Sequence, residues 1–306
     1  MAMRILFLTA TRIGDAVFTT GALEYLRRQH PEARFTIACG VPAAGIFAQF
    51  PALERLILIE KRTYDRHWLE LWAKTVSQAW DLVVDLRGSG LSFLVRARRR
   101  AILTGRQHQG HKIAQIATAL GISPPPLPTV WTSAEDQALA ARLVPPGAPV
   151  IALGPTANWS GKIWPPERFV ALFHALAQGP LPQARPIVLA GPGPTEAAMA
   201  APVLAALPEA IDLCGTLSLS QAAAVIARCA LFIGNDSGLM HHAAATGAPT
   251  LGLYGPSRAA EYGPVGARAA AVSAGTASET APIAELSVAA ALAAARTLLA
   301  TEAVAA

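Results

Sequence analysis

Arg4-Ile5-Leu6-Phe7-Leu8-Thr9-Ala10-Thr11-Arg12-Ile13-Gly14-Asp15 sets the pattern of the chain: an apolar run of strand length, a short polar turn, and the start of a segment whose apolar residues recur at helical spacing as far as Arg28. The order is strand, loop, helix. It repeats through Arg34–Ala38, a helical stretch at Val41–Phe50, Arg55–Ile59, a helix around Trp68–Trp80, and Leu82–Asp85. Strands separated by helices of this length predict a parallel sheet covered on both faces.

Prolines then crowd the chain between Gly121 and Pro149, interrupted by one short helix at Ala134–Leu143, and this stretch reads as a linker. The alternation restarts beyond it. Strands are expected at Val150–Leu153, Pro186–Ala190, Leu231–Gly234 and Thr250–Leu253, with helices at Pro166–Gln178, Thr195–Ala206, Leu219–Arg228 and Gly238–Thr246. The reading is an α/β protein of two Rossmann-like, doubly wound domains facing a cleft. Residues 1–147 form the first domain and 148–306 the second, with the C-terminal helix free to pack back on the first. Ligands of such sheets bind beyond the carboxyl ends of the strands, which directs attention to the loops after Leu8, Asp85, Leu153, Ala190, Gly234 and Leu253.

At 306 residues, 53% hydrophobic and 15% charged, the chain is neither a disordered tail nor a single small module. Cys39, Cys214 and Cys229 form no Cys-x-x-Cys pair, and their odd number points to a reducing compartment. Arg12 and Asp15 interrupt the first apolar run before it could serve for export. The Ala-rich end carries Glu285, Arg296 and Glu302 and reads as a soluble helix. A net charge of +5 fits anionic partners of several kinds.

The loop Thr9–Asp15 has no Gly-x-Gly-x-x-Gly fingerprint, and no acidic residue ends the second strand, so a nicotinamide site is disfavoured. Asp15 has two readings: a carboxylate capping the helix start, the commoner use, or a general base at the cleft. Lys162, in Gly154–Pro165, is a candidate phosphate ligand or a solvated turn lysine. Glu196 follows Gly191-Pro192-Gly193-Pro194 and could accept hydrogen bonds from sugar hydroxyls. In Gly234-Asn235-Asp236-Ser237-Gly238-Leu239-Met240-His241-His242, Asp236 and Ser237 are expected to cap a helix. The amides of Ser237, Gly238 and Leu239 there suit a pyrophosphate. His241 and His242 diverge by about 100° on a helix, so they form no metal pair, and one of them is expected to be packed. Arg96, Arg98, Arg99, Arg100, Arg106, His108, His111 and Lys112 join Lys61, Arg62 and Arg66 in a basic set, either a solvated face or a site for a phosphorylated acceptor or anionic lipid. No RNA-binding motif accompanies it, and nucleic acid is not expected.

Taken in order, Ile13-Gly14-Asp15 with Thr19 and Thr20, Lys162-Ile163-Trp164-Pro165, Cys214-Gly215-Thr216-Leu217-Ser218-Leu219 and Asn235–His241 resemble glycosyltransferase family 9, the lipopolysaccharide heptosyltransferases, over nearly the whole chain. The resemblance implies the GT-B architecture, with the acceptor on the first domain and the nucleotide sugar on the second. It implies inverting, metal-independent transfer of a heptose or related sugar from ADP-heptose to the phosphorylated inner core of lipopolysaccharide. There would be no cofactor beyond the nucleotide-sugar co-substrate, and the enzyme would be cytoplasmic, in peripheral contact with the inner membrane. Carried onto matching positions, Asp15 is the base and Lys162 neutralises the diphosphate. Thr156, Asn158, Glu196, Asp236, Ser237, Gly238 and His241 line the donor site, and Lys61, Arg62, Arg66 and Arg106 take the acceptor. Ile163 replaces the usual arginine of Lys-Arg-Trp-Pro, and Thr156-Ala157-Asn158 matches the donor loop only loosely. Two rivals stand beside this reading: a nucleotide-sugar epimerase of the same fold, and a non-catalytic sugar-nucleotide binding module.

Overall fold

In the computed structural model, which describes residues 2–104, 110–276 and 279–303, the chain divides into two compact units, Met1–Trp131 and Thr132–Ala306. The first runs β1 (Arg4–Leu8), α1 (Ile13–Gln29), β2 (Arg34–Gly40), α2 (Ala44–Phe47), β3 (Leu53–Ile59), α3 (Arg66–Thr75), β4 (Trp80–Asp85), α4 (Leu91–Leu94), β5 (Ala97–Ile102) and α5 (Lys112–Leu120). Its five strands are all parallel, in the order β3-β2-β1-β4-β5. Ile5 to Leu8 are fully buried because both faces of the sheet are covered. Leu6 and Leu8 pack with Ile57, Ile59 and Leu71 on one face, and Ile5 and Phe7 alternate to the other.

The strand β5 is absent from the sequence reading, which takes Arg96–Arg100 as a basic run. Arg98, Arg99 and Arg100 are exposed along the edge of the sheet, where charged side chains blunt further strand pairing. The structure also differs at the proline-rich stretch. Its leading part lies on α1: Thr129 donates its N–H to Thr20 Oγ1 (2.9 Å), and Trp131 Nε1 donates to Glu24 Oε2 (3.3 Å) while its ring stands 4.8 Å from that of Phe50. The division therefore falls at Trp131/Thr132 rather than at 147/148, and the helix that follows belongs to the second unit.

That unit runs α6 (Ala134–Leu143), β6 (Val150–Gly154), α7 (Pro166–Ala177), β7 (Arg185–Val188), α8 (Pro194–Ala206), β8 (Ile211–Asp212), α9 (Leu219–Ile226), β9 (Leu231–Asn235), α10 (Gly238–Ala245), β10 (Thr250–Tyr254), α11 (Ala259–Tyr262), β11 (Ala269–Ser273) and α12 (Val288–Ala303). Capping boxes start α6 (Ser133 with Asp136) and α9 (Ser218 with Gln221). The six strands are parallel, in the order β11-β10-β9-β6-β7-β8. The helix α6 packs on α9, and α12 packs on α7, β10 and β11, placing Ala291, Ala295 and Leu298 in the core of this unit.

Each sheet has a topological switch point, where the chain, having wound one way from its first strand, begins to wind the other way. In the first unit it lies between β1 and β4, where Leu8 pairs with Asp85. In the second it lies between β6 and β9, where Gly154 pairs with Gly234. Loops leaving neighbouring strands in opposite directions open a crevice at the carboxyl ends, so these are the two places where a ligand fits the sheet.

Gly21 shows how closely the residues after α5 approach α1: a Cβ there would stand 2.4 Å from the Leu127 carbonyl oxygen and 2.5 Å from that of Pro126. Gly21→Ala is expected to destabilise the protein by about 1–3 kcal/mol through overpacking against backbone. Gly90→Ala meets nothing within 4 Å and has ordinary helical angles, so it should be neutral or stabilise by up to ~1 kcal/mol. Urea denaturation of the two variants separates these outcomes, and equal midpoints would refute the close-approach argument.

Candidate functional site

The second switch point carries a connected polar cluster. Gly154 and Gly234 sit side by side under the Phe232 ring, and a Cβ on either would come within 2.7 Å of a ring carbon. Asn235, fully buried at the end of β9, donates Nδ2 to the Pro155 carbonyl (2.8 Å) and accepts the Trp164 N–H on Oδ1 (3.1 Å). It thereby ties both ends of the β6–α7 loop to β9. Trp164 is anchored in turn by its indole N–H on the Leu286 carbonyl (2.9 Å). Between these fixed points a single 3₁₀ turn, Ser160–Lys162, presents Lys162.

Lys162 Nζ lies 2.6 Å from Asp236 Oδ2. The same oxygen accepts the Ser257 hydroxyl at 2.6 Å, and His241 Nε2 stands 3.6 Å from Oδ1. Burial acts to raise the Asp236 pKa, but His241, Lys162 and Ser257 together outweigh it and hold the carboxyl down to about 2. The buried carboxylate is thus ionised and fully engaged. Lys162 remains partly exposed, and its ammonium has three N–H donors, so donors remain for an incoming anion.

Ser237 alone caps α10 through its side chain, accepting the Met240 N–H (3.4 Å). This corrects the expectation that Asp236 shares the cap: its oxygens are turned to Lys162, Ser257 and His241. The first-turn amides of Gly238 and Leu239 have no intrahelical acceptor and no partner among the described residues. A partly exposed lysine and unpartnered helix-start amides are donors of the kind that can bind an anion. The two adjacent histidines are both buried, where only one was expected to pack. His241 faces Asp236, and His242 Nε2 lies 2.8 Å from the Leu219 carbonyl oxygen, burial lowering its pKa.

The remaining donor candidates are placed less tightly. Thr156 is buried and Asn158 exposed, and neither side chain makes a hydrogen bond among the described residues. Glu196, in the first turn of α8, accepts the Gly191 N–H on Oε2 (3.2 Å) and closes the β7–α8 loop. Ser257, in the loop after β10, was not singled out by the sequence reading. Its only signal there is its place beyond a strand end.

At the first switch point, Asp15 lies in the first turn of α1, immediately beyond β1. The helix cap position, Arg12, receives no side-chain cap, and the Asp15 carboxylate, half-buried, has no hydrogen-bond or ion-pair partner among the described residues. The capping alternative is therefore not realised. On the neighbouring strand end Asp85 accepts the Arg87 N–H (3.0 Å) and the Ser89 hydroxyl (2.7 Å). Arg87, also missed by the sequence reading, stacks 4.8 Å from the Trp68 ring centroid, its buried Nη1 lacking a partner among the described residues. Lys61, Arg62 and Arg66 are exposed in the segment after β3. Arg62 pairs with Glu70 (3.2 Å), and Lys61 and Arg66 have no ion pair among the described residues. Arg106 and His108 lie outside the described residues. Among the described residues no three His, Cys, Asp or Glu side chains are grouped as a metal site, and no helix is long and apolar enough to cross a membrane.

The model of glycosyltransferase family 9 (heptosyltransferase) matches residues 86–290. Lipopolysaccharide heptosyltransferase 1 of Pseudomonas aeruginosa is 27% identical over 290 residues, covering 83% of this chain and 79% of that protein. Lipooligosaccharide heptosyltransferase 2 of Haemophilus influenzae is 34% identical over 115 residues, 36% of this chain, and the match spans only 32% of that relative's length. Among solved structures, a family 9 glycosyl transferase from Veillonella parvula superposes with a TM-score of 0.80 at 22% identity, over 98% of each chain. The E. coli ADP-heptose lps heptosyltransferase II gives 0.76 at 20% identity, over 98% of this chain and 100% of that one. At these identities the structural likeness is one of fold.

The Asp236 cluster makes a pH prediction. A carboxyl held at about 2 in the folded chain, against an ordinary 3.8, contributes stability that is present above 3.8 and is lost as pH falls towards 2. The expected loss is roughly 2 kcal/mol. Urea midpoints of the wild type and Asp236→Asn should therefore differ most above pH 4 and converge near pH 2. A difference that does not change over that range would show that Asp236 is not ionised by its neighbours.

Proposed function

The chain belongs to glycosyltransferase family 9, the heptosyltransferases, and from that premise we propose that it moves a heptose from ADP-heptose to the phosphorylated inner core of lipopolysaccharide, with inversion and without a metal. The observation that carries this reading is the contrast between the two switch points. One holds a carboxylate with no partner among the described residues, Asp15; the other holds a lysine fixed by a buried, ionised aspartate beside two unpartnered helix-start amides.

In this reading the donor diphosphate takes the second site. Lys162 and the amides of Gly238 and Leu239 meet negative charge as it grows on the departing diphosphate, the service a divalent cation would otherwise perform. Asp236 does not touch the diphosphate. It is a positioning residue that holds the Lys162 ammonium, with the Ser257 hydroxyl on the same oxygen and the His241 ring beside the other. Thr156 and Asn158, on the loop after β6, and Glu196, in the first turn of α8, would contact the rest of the nucleotide sugar. Asp15 accepts the proton of the acceptor hydroxyl as that oxygen attacks the anomeric carbon from the face opposite the diphosphate, which inverts the centre. The acceptor's phosphates fall to Lys61, Arg62, Arg66 and Arg106. No cofactor enters besides the nucleotide sugar, and the enzyme works in the cytoplasm in peripheral contact with the inner membrane.

Two variants test the roles. Asp15→Asn should keep donor binding and lose about 100- to 10,000-fold in turnover. Lys162→Ala should lose at least about tenfold in kcat/KM and weaken nucleoside diphosphate binding in calorimetry. Acceptor-dependent ADP release reads both, and turnover of Asp15→Asn within a few-fold of wild type would remove the base. Sugar interconversion without acceptor would instead identify an epimerase, and no release at all a binding module.

EDTA treatment followed by desalting should leave the rate of ADP release unchanged. A chelated, inactive enzyme restored by magnesium or manganese would overturn the metal-independent part of the reading.

A further inference from the structure

On the first unit, α3 and α4 expose large apolar side chains side by side: Leu69 (67% exposed), Trp72 (39%), Phe93 (70%) and Leu94 (64%). Leu69 and Trp72 are three residues apart on α3 and so share a face. The Trp72 indole N–H donates to the Leu94 carbonyl (3.1 Å), which joins α3 and α4 into one surface. An apolar cluster of this kind left in water marks an interaction site more often than chance exposure does.

The surroundings of the cluster indicate the partner. Leu91-Ser92-Phe93-Leu94-Val95-Arg96-Ala97-Arg98-Arg99-Arg100 holds four arginines and no acidic residue. Arg100 is spent on the carbonyls of Ser92 (2.7 Å), Val95 (3.0 Å) and Ala97 (3.3 Å), which fixes α4 against β5, and Arg98 pairs with Asp81 (3.3 Å). Arg96 is exposed and has no ion pair among the described residues, and Arg98, on the same face of β5 as Arg100, is exposed beside it. A second copy of this chain would bring the same cations against themselves in a two-fold contact. A membrane surface carrying anionic lipid meets both features, taking the apolar tips at the headgroup–acyl boundary and the cations among the headgroups.

We infer that the α3–α4 surface, with Phe93, Leu94, Leu69 and Trp72 at its centre and Arg96 and Arg98 at its rim, docks the protein on an anionic lipid bilayer. This deepens the membrane part of the proposed function by naming the surface. Its test uses no turnover, so the docking and the transfer reaction can fail separately.

The test is sedimentation of the full chain with vesicles of phosphatidylcholine alone or with about one third phosphatidylglycerol, at physiological salt. The wild type should bind the anionic vesicles and leave the zwitterionic ones. Phe93→Ser/Leu94→Ser and Arg96→Gln/Arg98→Gln should each bind at least about tenfold more weakly. All four side chains are exposed, so the variants should fold, as circular dichroism would verify. Arg142→Gln/Arg185→Gln, which removes two exposed cations of the second unit, should bind within about twofold of wild type. The inference is overturned if the wild type binds neither vesicle, if Phe93→Ser/Leu94→Ser binds as tightly as wild type, or if the second-unit variant loses as much as the Arg96/Arg98 variant. It is equally overturned if the wild type is a dimer that Phe93→Ser/Leu94→Ser dissociates.

Discussion

A buried side-chain amide holds the second unit's site together. Asn235 spends its donor on Pro155 and its acceptor on Trp164, so that ten residues of loop are closed at both ends by one side chain from the neighbouring strand. Its own amide is almost fully out of water, where an unmade hydrogen bond costs more than a made one gains. The loop therefore has one arrangement that leaves nothing unsatisfied, and that arrangement sets Lys162 beside Asp236.

On its own, the Lys162–Asp236 pair would be a poor source of stability. Taking two charges out of water costs about as much as their attraction returns, and here a serine and a histidine are recruited to make the balance favourable. What the cluster supplies is position. Free lysine side chains sample many rotamers, and a phosphate ligand that must meet charge at a given point gains from having that freedom removed beforehand. The parallel strands contribute in the same direction, since β6 and β9 hold the loops at Gly154 and Gly234 in a fixed register.

Most of the fold is legible in the sequence because fully buried parallel strands must be continuously apolar, as Ile5–Leu8, Val150–Leu153 and Leu231–Ile233 are. What escapes is decided by neighbours in space. In β5 the ladder is made by backbone bonded to β4, so its arginines carry no strand signal. The helix α6 sits in a proline-rich stretch that reads as linker, and only its packing on α9 assigns it to the second unit. Lys162 and Asp236 are each readable as loop residues after strands, but their contact spans 74 residues of sequence and depends on the order in which β6 and β9 are laid side by side. Ser257 and Arg87 are invisible for the same reason. The histidine pair misleads because helical geometry suggests that one side must face water, whereas α10 is covered on both.

Asp15 and Asp236 show that a carboxylate's role follows from its surroundings more than from its position after a strand, which the two share. Asp236 is buried, ionised and saturated with donors, so accepting a further proton would mean breaking contacts with Lys162, Ser257 and His241. A group in that state can anchor but cannot serve as a base near neutral pH. Asp15 has the opposite environment: half-buried, at a strand end, with no donor among the described residues to hold its charge. In the proposed function two carboxylates in contrasting settings divide the work of anchor and base between them, and the proposal of Asp15 as base rests on this contrast, because the helix start it occupies would have been equally well served by a cap that the structure does not make.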